Sequence, residues 1–320
     1  MPQTCKDLSS ILDEMRSRSR EKQENYDETL TAFCKHLLEL KKSMPFVEWR
    51  NSVIQSSLTH PLQAFLLQDP FTNRAFYKPR GYAGDAIMMD LLYAGDGSVA
   101  APLEGKETRA GLNLYQSVLK LSTAQSVRNR KDIIAKKLDE IAGKTEKPEV
   151  LAVACGHLRE AQHSVAFRQG RVGRYIALDS DPLSIKHVHL TLGKKGVTTC
   201  EGNVLDLIRE GVSFASFDFV YSAGLYDYLD DKVAKRLTEK LFRMVKPGGV
   251  LLVANFQPDH LCAAYIEACC DWWLVYRNEP AMKELLKGIP PEEIDQIRIY
   301  PDETGSIYFL EVKRNRLKDE

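Results

Sequence analysis

The feature that most constrains this chain is a rhythm that begins near Pro148. Short apolar runs occupy residues 149–155 (EVLAVAC), 174–179 (RYIALD), 197–200 (VTTC), 217–223 (FDFVYSA) and 250–256 (VLLVANF). Helical patterns fill the gaps between them. In residues 231–245, Val233, Leu237, Leu241 and Met244 share one face, and Pro247-Gly248-Gly249 follows as a stop. Apolar strands alternating with amphipathic helices predict βαβ units and a parallel sheet covered on both faces. Near the C-terminus, residues 296–300 and 307–313 read as strands joined by a link too short for a crossover helix. That pair is expected to form an antiparallel hairpin.

Residues 1–147 read differently, as helices and loops. Leu8, Ile11, Leu12 and Met15 follow helical spacing, as do Leu30, Phe33, Leu37 and Leu40. Residues 113–142 set Leu114, Val118, Leu121, Ile133, Ile134, Leu138 and Ile141 among charged residues, which predicts one or two helices ending at Gly143. The expected organisation is a helical N-terminal cap or substrate domain over residues 1–147. An α/β core follows over 148–320, with an insertion at 257–295 that is long for a connection. No internal repeat is visible.

Composition excludes several classes. The 44 basic and 44 acidic residues balance to zero net charge, which argues against a dedicated nucleic-acid binder. The Arg16-Ser17-Arg18-Ser19-Arg20 run lacks aromatic partners and reads as a solvated helix face. No apolar run is long enough to span a bilayer, and the first twenty residues show no secretory h-region. The seven cysteines, Cys5, Cys34, Cys155, Cys200, Cys262, Cys269 and Cys270, form no Cys-x-x-Cys pair. Reduced thiols in the cytoplasm are the expected state, and no metal is expected, since His187 and His189 point to different faces of a helix.

In an open α/β sheet, ligands bind beyond the C-terminal strand ends, where the strand order switches. The residues that close each run are therefore the candidates. The first run leads into Ala154-Cys155-Gly156, and Gly156 allows close backbone approach. The second ends in Asp179, whose carboxylate can accept from both hydroxyls of a ribose, while Asp181 before Pro182 suits a helix cap. The third leads to Asn203 and Val204, an amide and an apolar side chain suited to adenine. The fourth delivers Ser222-Ala223-Gly224-Leu225-Tyr226-Asp227-Tyr228. Together these define a layout for a nucleoside held across neighbouring strand ends. A dinucleotide would need the G-x-G-x-x-G turn, but only Gly156 is present, followed by His157, Leu158 and Arg159.

The segments VLAVACG, YIALDSDP, CEGNVLDL, FDFVYSAGLYDYL and LFRMVKPGGVLLVANF resemble those of class I S-adenosylmethionine (SAM)-dependent methyltransferases. The preceding Lys78-Pro79-Arg80-Gly81-Tyr82-Ala83-Gly84-Asp85 is similar to a segment of bacterial proteins assigned to 3-hydroxypalmitic acid methyl ester biosynthesis, which are fatty-acid carboxyl methyltransferases. The resemblance implies a Rossmann-like, seven-stranded, mostly parallel sheet with an antiparallel C-terminal hairpin. It implies SAM as cofactor, with Asp179 on the ribose, Asn203 and Val204 on the adenine, and Ala154, Cys155, Gly156, Ser222 and Ala223 facing the methionine part. Ala154 and His157 depart from the common glycine-rich first loop. Cys155 is expected to be a packed filler rather than a nucleophile.

Methyl transfer from a sulfonium is an in-line displacement, so alignment is the protein's main task. An ionised carboxylate acceptor needs no base, whereas a hydroxyl or amine gains roughly 10²–10⁴ from one. Candidates for catalytic residues are Arg80, Tyr82, Tyr226 and His260. His157 and Asp227 can also serve as bases, although a lone histidine is often structural and Asp227 suits a helix start. Arg80 can fork onto a carboxylate, with Tyr82 walling the chamber, or can pair with Asp85 to hold a turn. Trp272, Trp273, Tyr276 and Met282 line a substrate pocket or pack a core. The expected partner is a small-molecule substrate rather than nucleic acid. The expected reaction is O-methylation, with a carboxylate as one acceptor. Small-molecule N-methylation and non-catalytic binding of SAM or S-adenosylhomocysteine (SAH) are the alternatives, and a nicotinamide dehydrogenase is the remaining rival. Oligomeric state is not legible.

Overall fold

The computed structural model describes residues 10–17, 26–209 and 216–316. Cys5, Leu8, Arg18, Ser19 and Arg20 lie outside the described residues. The chain divides into two compact units, Met1–Arg128 with Asp259–Trp273, and Asn129–Pro258 with Leu274–Glu320.

Among its described residues the first unit forms helices joined by turns and loops, with no strand. Its helices include Asp27–Lys42, Pro70–Tyr77, Ala86–Tyr93, Arg109–Lys120 and Ala263–Cys270. Every residue of Ala263–Cys270 is buried, as expected for a helix apolar on all sides and surrounded by others. Polar side chains tie it to the N-terminal helices. Glu267 accepts from Lys41 Nζ at 2.7 Å and from Trp49 Nε1 at 2.8 Å. The Tyr265 hydroxyl lies 2.7 Å from that of Thr72, and Gln63 Nε2 donates to the Cys269 carbonyl. Part of the predicted insertion is thus the central helix of a core otherwise built from the first 128 residues.

The second unit is the predicted sheet. Strands β1 (Val150–Val153), β2 (Tyr175–Asp179), β3 (Val197–Glu201), β4 (Phe217–Ser222), β5 (Val245–Phe256), β6 (Ile294–Pro301) and β7 (Ile307–Arg314) pair in the order β3-β2-β1-β4-β5-β7-β6. The first five run parallel, while β7 pairs antiparallel with both β5 and β6. All residues of β1 and β2 are buried, which is why their sequences read as continuous apolar runs. On one face Leu151, Val153, Ile176, Leu178 and Val220 pack with Leu237 and Leu241 of the helix Asp231–Arg243. Met282 joins this core, so it fills the sheet's packing, whereas Trp272 and Trp273 belong to the first unit beside Phe71 and Phe46. The long helix Ser122–Ala142 carries residues of both units, and its later turns serve the sheet: Lys137 pairs with Glu311 of β7 at 3.0 Å.

Candidate functional site

Strand order reverses direction between β1 and β4, so the cleft expected of this topology opens at their carboxyl ends. The loop after β1 is strained. Ala154, Gly156 and Leu158 adopt φ of 54°, 53° and 52°, a region that only the glycine enters without cost. Strain of this kind persists where surrounding bonds over-determine it, and here they do. Cys155 N–H donates to the Leu178 carbonyl at 3.1 Å, and Gly156 N–H donates to Asp179 Oδ2 at 2.8 Å. Leu158 N–H closes the turn on the Cys155 carbonyl.

Asp179 is the hinge of this arrangement. Its Oδ1 accepts from Asp181 N–H at 2.9 Å, and its own carbonyl accepts from Gly202 N–H. One residue therefore links the ends of β1, β2 and β3. Burial raises its carboxyl above the usual range, opposed by the backbone donors. Asp181 takes the capping role, with Oδ1 on Leu183 N–H and Oδ2 on the Ser184 hydroxyl. Asn203 caps the next helix, Val204–Ile208, by accepting from Leu205 N–H at 2.9 Å. Its amide nitrogen remains a donor for a ring nitrogen, and half-buried Val204 packs against the core below.

After β4, the Ser222 hydroxyl donates to the Val153 carbonyl at 3.1 Å, tying β4 to β1 at their ends. The Ala223 carbonyl accepts from Arg130 Nη1 at 2.8 Å. The structure thus brings Ala154, Cys155, Gly156, Asp179, Asn203, Val204, Ser222 and Ala223 to the carboxyl ends of four adjacent strands. Cys155 is buried, and its thiol is pushed well above its ordinary value by desolvation and by the charges of Asp179 and Glu160.

The nominated catalytic side chains are distributed otherwise. Tyr226 is fully buried in the sheet core with its hydroxyl 3.0 Å from that of Thr238. His260 lies in the first unit, with Nδ1 3.3 Å from the Thr123 hydroxyl, and burial lowers its pKa to about 3, which keeps it neutral. Arg80 and Tyr82 sit half-buried in the turns of residues 78–85, where Lys78 and Gly81 have positive φ. The Asp85 carboxylate is held by Arg74, at 2.8 and 2.6 Å, and also caps the helix Ala86–Tyr93. Arg74, not Arg80, is therefore the bidentate partner of that aspartate. His157 is buried and stacks on His187 with ring centres 3.9 Å apart.

Arg277, Glu160 and Arg130 escaped the sequence reading, while Asp227, read there as a candidate base or a helix start, has partners that the sequence did not show. Asp227 is buried, and its Oδ1 accepts from Asn255 Nδ2 and Phe256 N–H, both at 2.8 Å, which joins the β4 loop to the end of β5. Burial raises its pKa to about 7 despite Arg130 and Arg277. Arg277 locks the same region through Asn255 Oδ1 and the Tyr226 carbonyl. Glu160 is buried and accepts from Tyr221, whose hydroxyl lies 2.7 Å from that of Tyr175. Arg130 had a visible signal. It occupies the buried stripe of Val127, Ile134, Leu138 and Ile141, where a charge is out of place.

An adenosyl group fits these residues. Each Asp179 oxygen accepts one backbone N–H and retains a second lone pair, and exposed Leu183 and Leu205 offer apolar surface beside Asp181 and Asn203. A pyrophosphate does not fit the first loop, because Cys155, Gly156 and Leu158 donate their N–H groups within the protein.

No curated protein matches. Across solved structures, a possible exported protein from Bordetella parapertussis superposes with a TM-score of 0.59 at 14% identity, covering 98% of this chain and 99% of its own. The N-methyltransferase NodS of Bradyrhizobium japonicum, solved with SAH, gives 0.43 at 14% identity over 59% of this chain and 87% of its own. Magnesium protoporphyrin IX methyltransferase of Synechocystis, also with SAH, gives 0.45 at 12% identity over 60% of this chain and 87% of its own. Residues 150–249 match the family described as a methyltransferase domain, and SAM is the cofactor that this domain implies.

Proposed function

We propose that the protein is a SAM-dependent methyltransferase acting on a small molecule, with a carboxylate oxygen as acceptor. The observation that carries the cofactor assignment is Asp179, whose side chain and backbone join three strand ends into one cradle for a nucleoside. When bound, the cofactor supplies an electrophilic methyl group. The protein's own work is to bind and align. Asp179 takes the ribose hydroxyls, Asn203 the adenine edge, and the turn at residues 154–156 with Ser222 and Ala223 the amino-acid end. A carboxylate acceptor is favoured by the state of two nominated catalytic side chains, since Tyr226 is bonded to Thr238 and His260 is buried beside Thr123. Such an acceptor is ionised at neutral pH and needs no proton removed.

One observation favours a second reading. Asp227, after β4 with a pKa near 7, is a base suited to a hydroxyl or amine acceptor. Labelled SAM with a metabolite extract separates the two readings. A methyl ester releases its label as methanol in alkali, whereas an ether or methylamine retains it. No labelled product, with SAH still binding, would leave a non-catalytic cofactor-binding protein. Calorimetric binding of NAD without SAH would defeat the cofactor assignment. Arg80 is proposed to take the acceptor's carboxylate beside Tyr82, so Arg80→Ala should lower turnover at least 10-fold with unchanged thermal unfolding. We place the protein in the cytoplasm. Its described cysteines are free, and among the described residues no helix is long and apolar enough to cross a membrane.

A further inference from the structure

A large apolar side chain alone on a protein surface needs no explanation, whereas several together mark a place of contact. In the helical unit Phe46 and Val47 are adjacent in the chain and 57% and 68% exposed. They begin a helix after Pro45, and it runs on through Trp49–Ile54 and Gln55–Thr59. The inward side of that helix is held fast. Trp49, Val53 and Ile54 are buried, and Trp49 Nε1 donates to Glu267 at 2.8 Å. A fixed support therefore presents an apolar turn, which half-buried Met44 and exposed Pro45 extend.

Side-chain contacts continue this surface. The Phe46 ring meets Trp273 edge-on with centres 6.1 Å apart, and the Arg50 guanidinium lies 5.6 Å from the centre of the same indole. Trp273 Nε1 donates to Asp271 Oδ1 at 2.7 Å, and Lys78 Nζ donates to the Asp271 carbonyl at 2.7 Å. Next to Lys78 in the chain is Tyr77, 63% exposed. Cations flank the apolar turn on both sides. Arg50 is exposed, and among the described residues it pairs with no acid, only with the Trp273 ring. Lys42 pairs with Asp259, but both are more than half exposed, and so open an ion pair is weak and easily exchanged. Glu48 is the one acid between Lys42 and Arg50.

We propose that this face of the helical unit is an interfacial anchor for an anionic lipid surface, Phe46 and Val47 entering the acyl boundary while Arg50 and Lys42 meet the phosphates. Exposed aromatic and aliphatic side chains beside lysine and arginine are the composition that binds such an interface. The unpaired charge of Arg50 selects a surface of opposite sign. Shape and charge argue against other occupants. A peptide docks in a groove, and side chains more than half exposed line none. A second copy meeting the same face about a two-fold axis would set cations against cations. None of the residues assigned to the cofactor takes part, so the anchor stands or falls apart from that assignment.

The test is co-sedimentation of the full chain with vesicles of phosphatidylcholine, and with vesicles of phosphatidylcholine and phosphatidylglycerol in equal parts. The wild-type protein should bind the mixed vesicles at least about 10-fold more tightly, since each cation near an anionic surface is worth about 5-fold. Added salt should weaken that binding. Arg50→Gln should lose about 5-fold, and Phe46→Ser with Val47→Ser at least about 10-fold. Both variants should keep the wild-type unfolding temperature, because the side chains they replace stand in solvent. No wild-type binding to the mixed vesicles overturns the proposal, as does full binding by the Phe46→Ser, Val47→Ser variant. Equal affinity for the two kinds of vesicle overturns the assignment to an anionic surface. A dimer in analytical ultracentrifugation that the same double variant abolishes would give the face to a second copy, and that overturns it too.

Discussion

At the scale of single residues, the site rests on side chains that do two jobs. Asp179 shapes the first loop through Gly156 and Asp181 and leaves acceptor capacity for a ribose. Replacing it by asparagine removes one acceptor oxygen, so either a loop bond or a ribose bond must go. Asp179→Asn should weaken SAH binding by about 10-fold or more, measured by calorimetry. Asp227 makes a prediction about pH. Its folded pKa, about 7, lies above the ordinary 3.8, because burial disfavours the carboxylate. Protonation therefore favours the folded state. The stability from this group is complete below about pH 4 and is lost as pH rises through about 7. Asp227→Asn does not titrate, so in denaturant unfolding its stability should gain on wild type between about pH 4 and pH 8. The relative gain is on the order of a few kcal/mol at most. A difference that stays flat across this range would show that Asp227 is ionised in both states. Asp179 was legible in the sequence because it closes an apolar run, and position in a run is a local property. Asp227 was legible as a candidate base or a helix start but not as a buried joint, since its partners Asn255 and Phe256 lie 28 and 29 residues away and meet it only in the fold.

At the scale of elements, the strands were legible to within a few residues. Burial on both faces forces an unbroken apolar sequence, as in Val150–Val153 and Tyr175–Asp179. The caps were legible where a short polar residue precedes the helix, as Asp181 does before Pro182. Helix-to-helix contacts were not legible. Gly111 shows why. It lies within Arg109–Lys120, where alanine would ordinarily be worth about 1 kcal/mol more than glycine. Yet an added Cβ would sit 2.2 Å from the backbone oxygen of Gln68, which no rotamer change can relieve. Gly111→Ala should therefore destabilise the protein by about 2 kcal/mol or more, seen as a lower denaturation midpoint. An unchanged midpoint would mean that the two segments separate at little cost. The stripe of the helix Ser122–Ala142 teaches a similar lesson. Val127, Ile134 and Leu138 announce its buried face, while Arg130 and Lys131 on that face are accounted for only by what the fold sets against them.

At the scale of the whole molecule, ligand linkage supplies a test that no single side chain can dominate. A ligand held only by the folded state stabilises it by about 2.7 kcal/mol at a hundred times its dissociation constant. SAH should raise the unfolding temperature by several degrees in calorimetry, and NAD should leave it unchanged. A shift with NAD alone would favour the dehydrogenase reading set aside on the N–H groups of the first loop. Larger organisation was the least legible. Residues 257–295 stood out as long for a connection, but nothing local says that Ala263–Cys270 is the central helix of the N-terminal unit. Its apolar sequence fits a pocket wall or a core equally well. Contacts with Lys41, Trp49, Gln63 and Thr72, all about two hundred positions earlier, settle which.

What the amino-acid sequence determined by itself is the alternation of strands and helices, the parallel sheet with its reversed final hairpin, and the glycine, aspartate and asparagine at three strand ends. These follow from periodicity and from residue types that act within a few positions of themselves. Tertiary structure alone decided which buried charges face that site, which aspartate Arg74 holds, and where the helix Ala263–Cys270 belongs. Such pairings join residues distant along the chain, and the energy that selects them exists only once burial has removed the competing water.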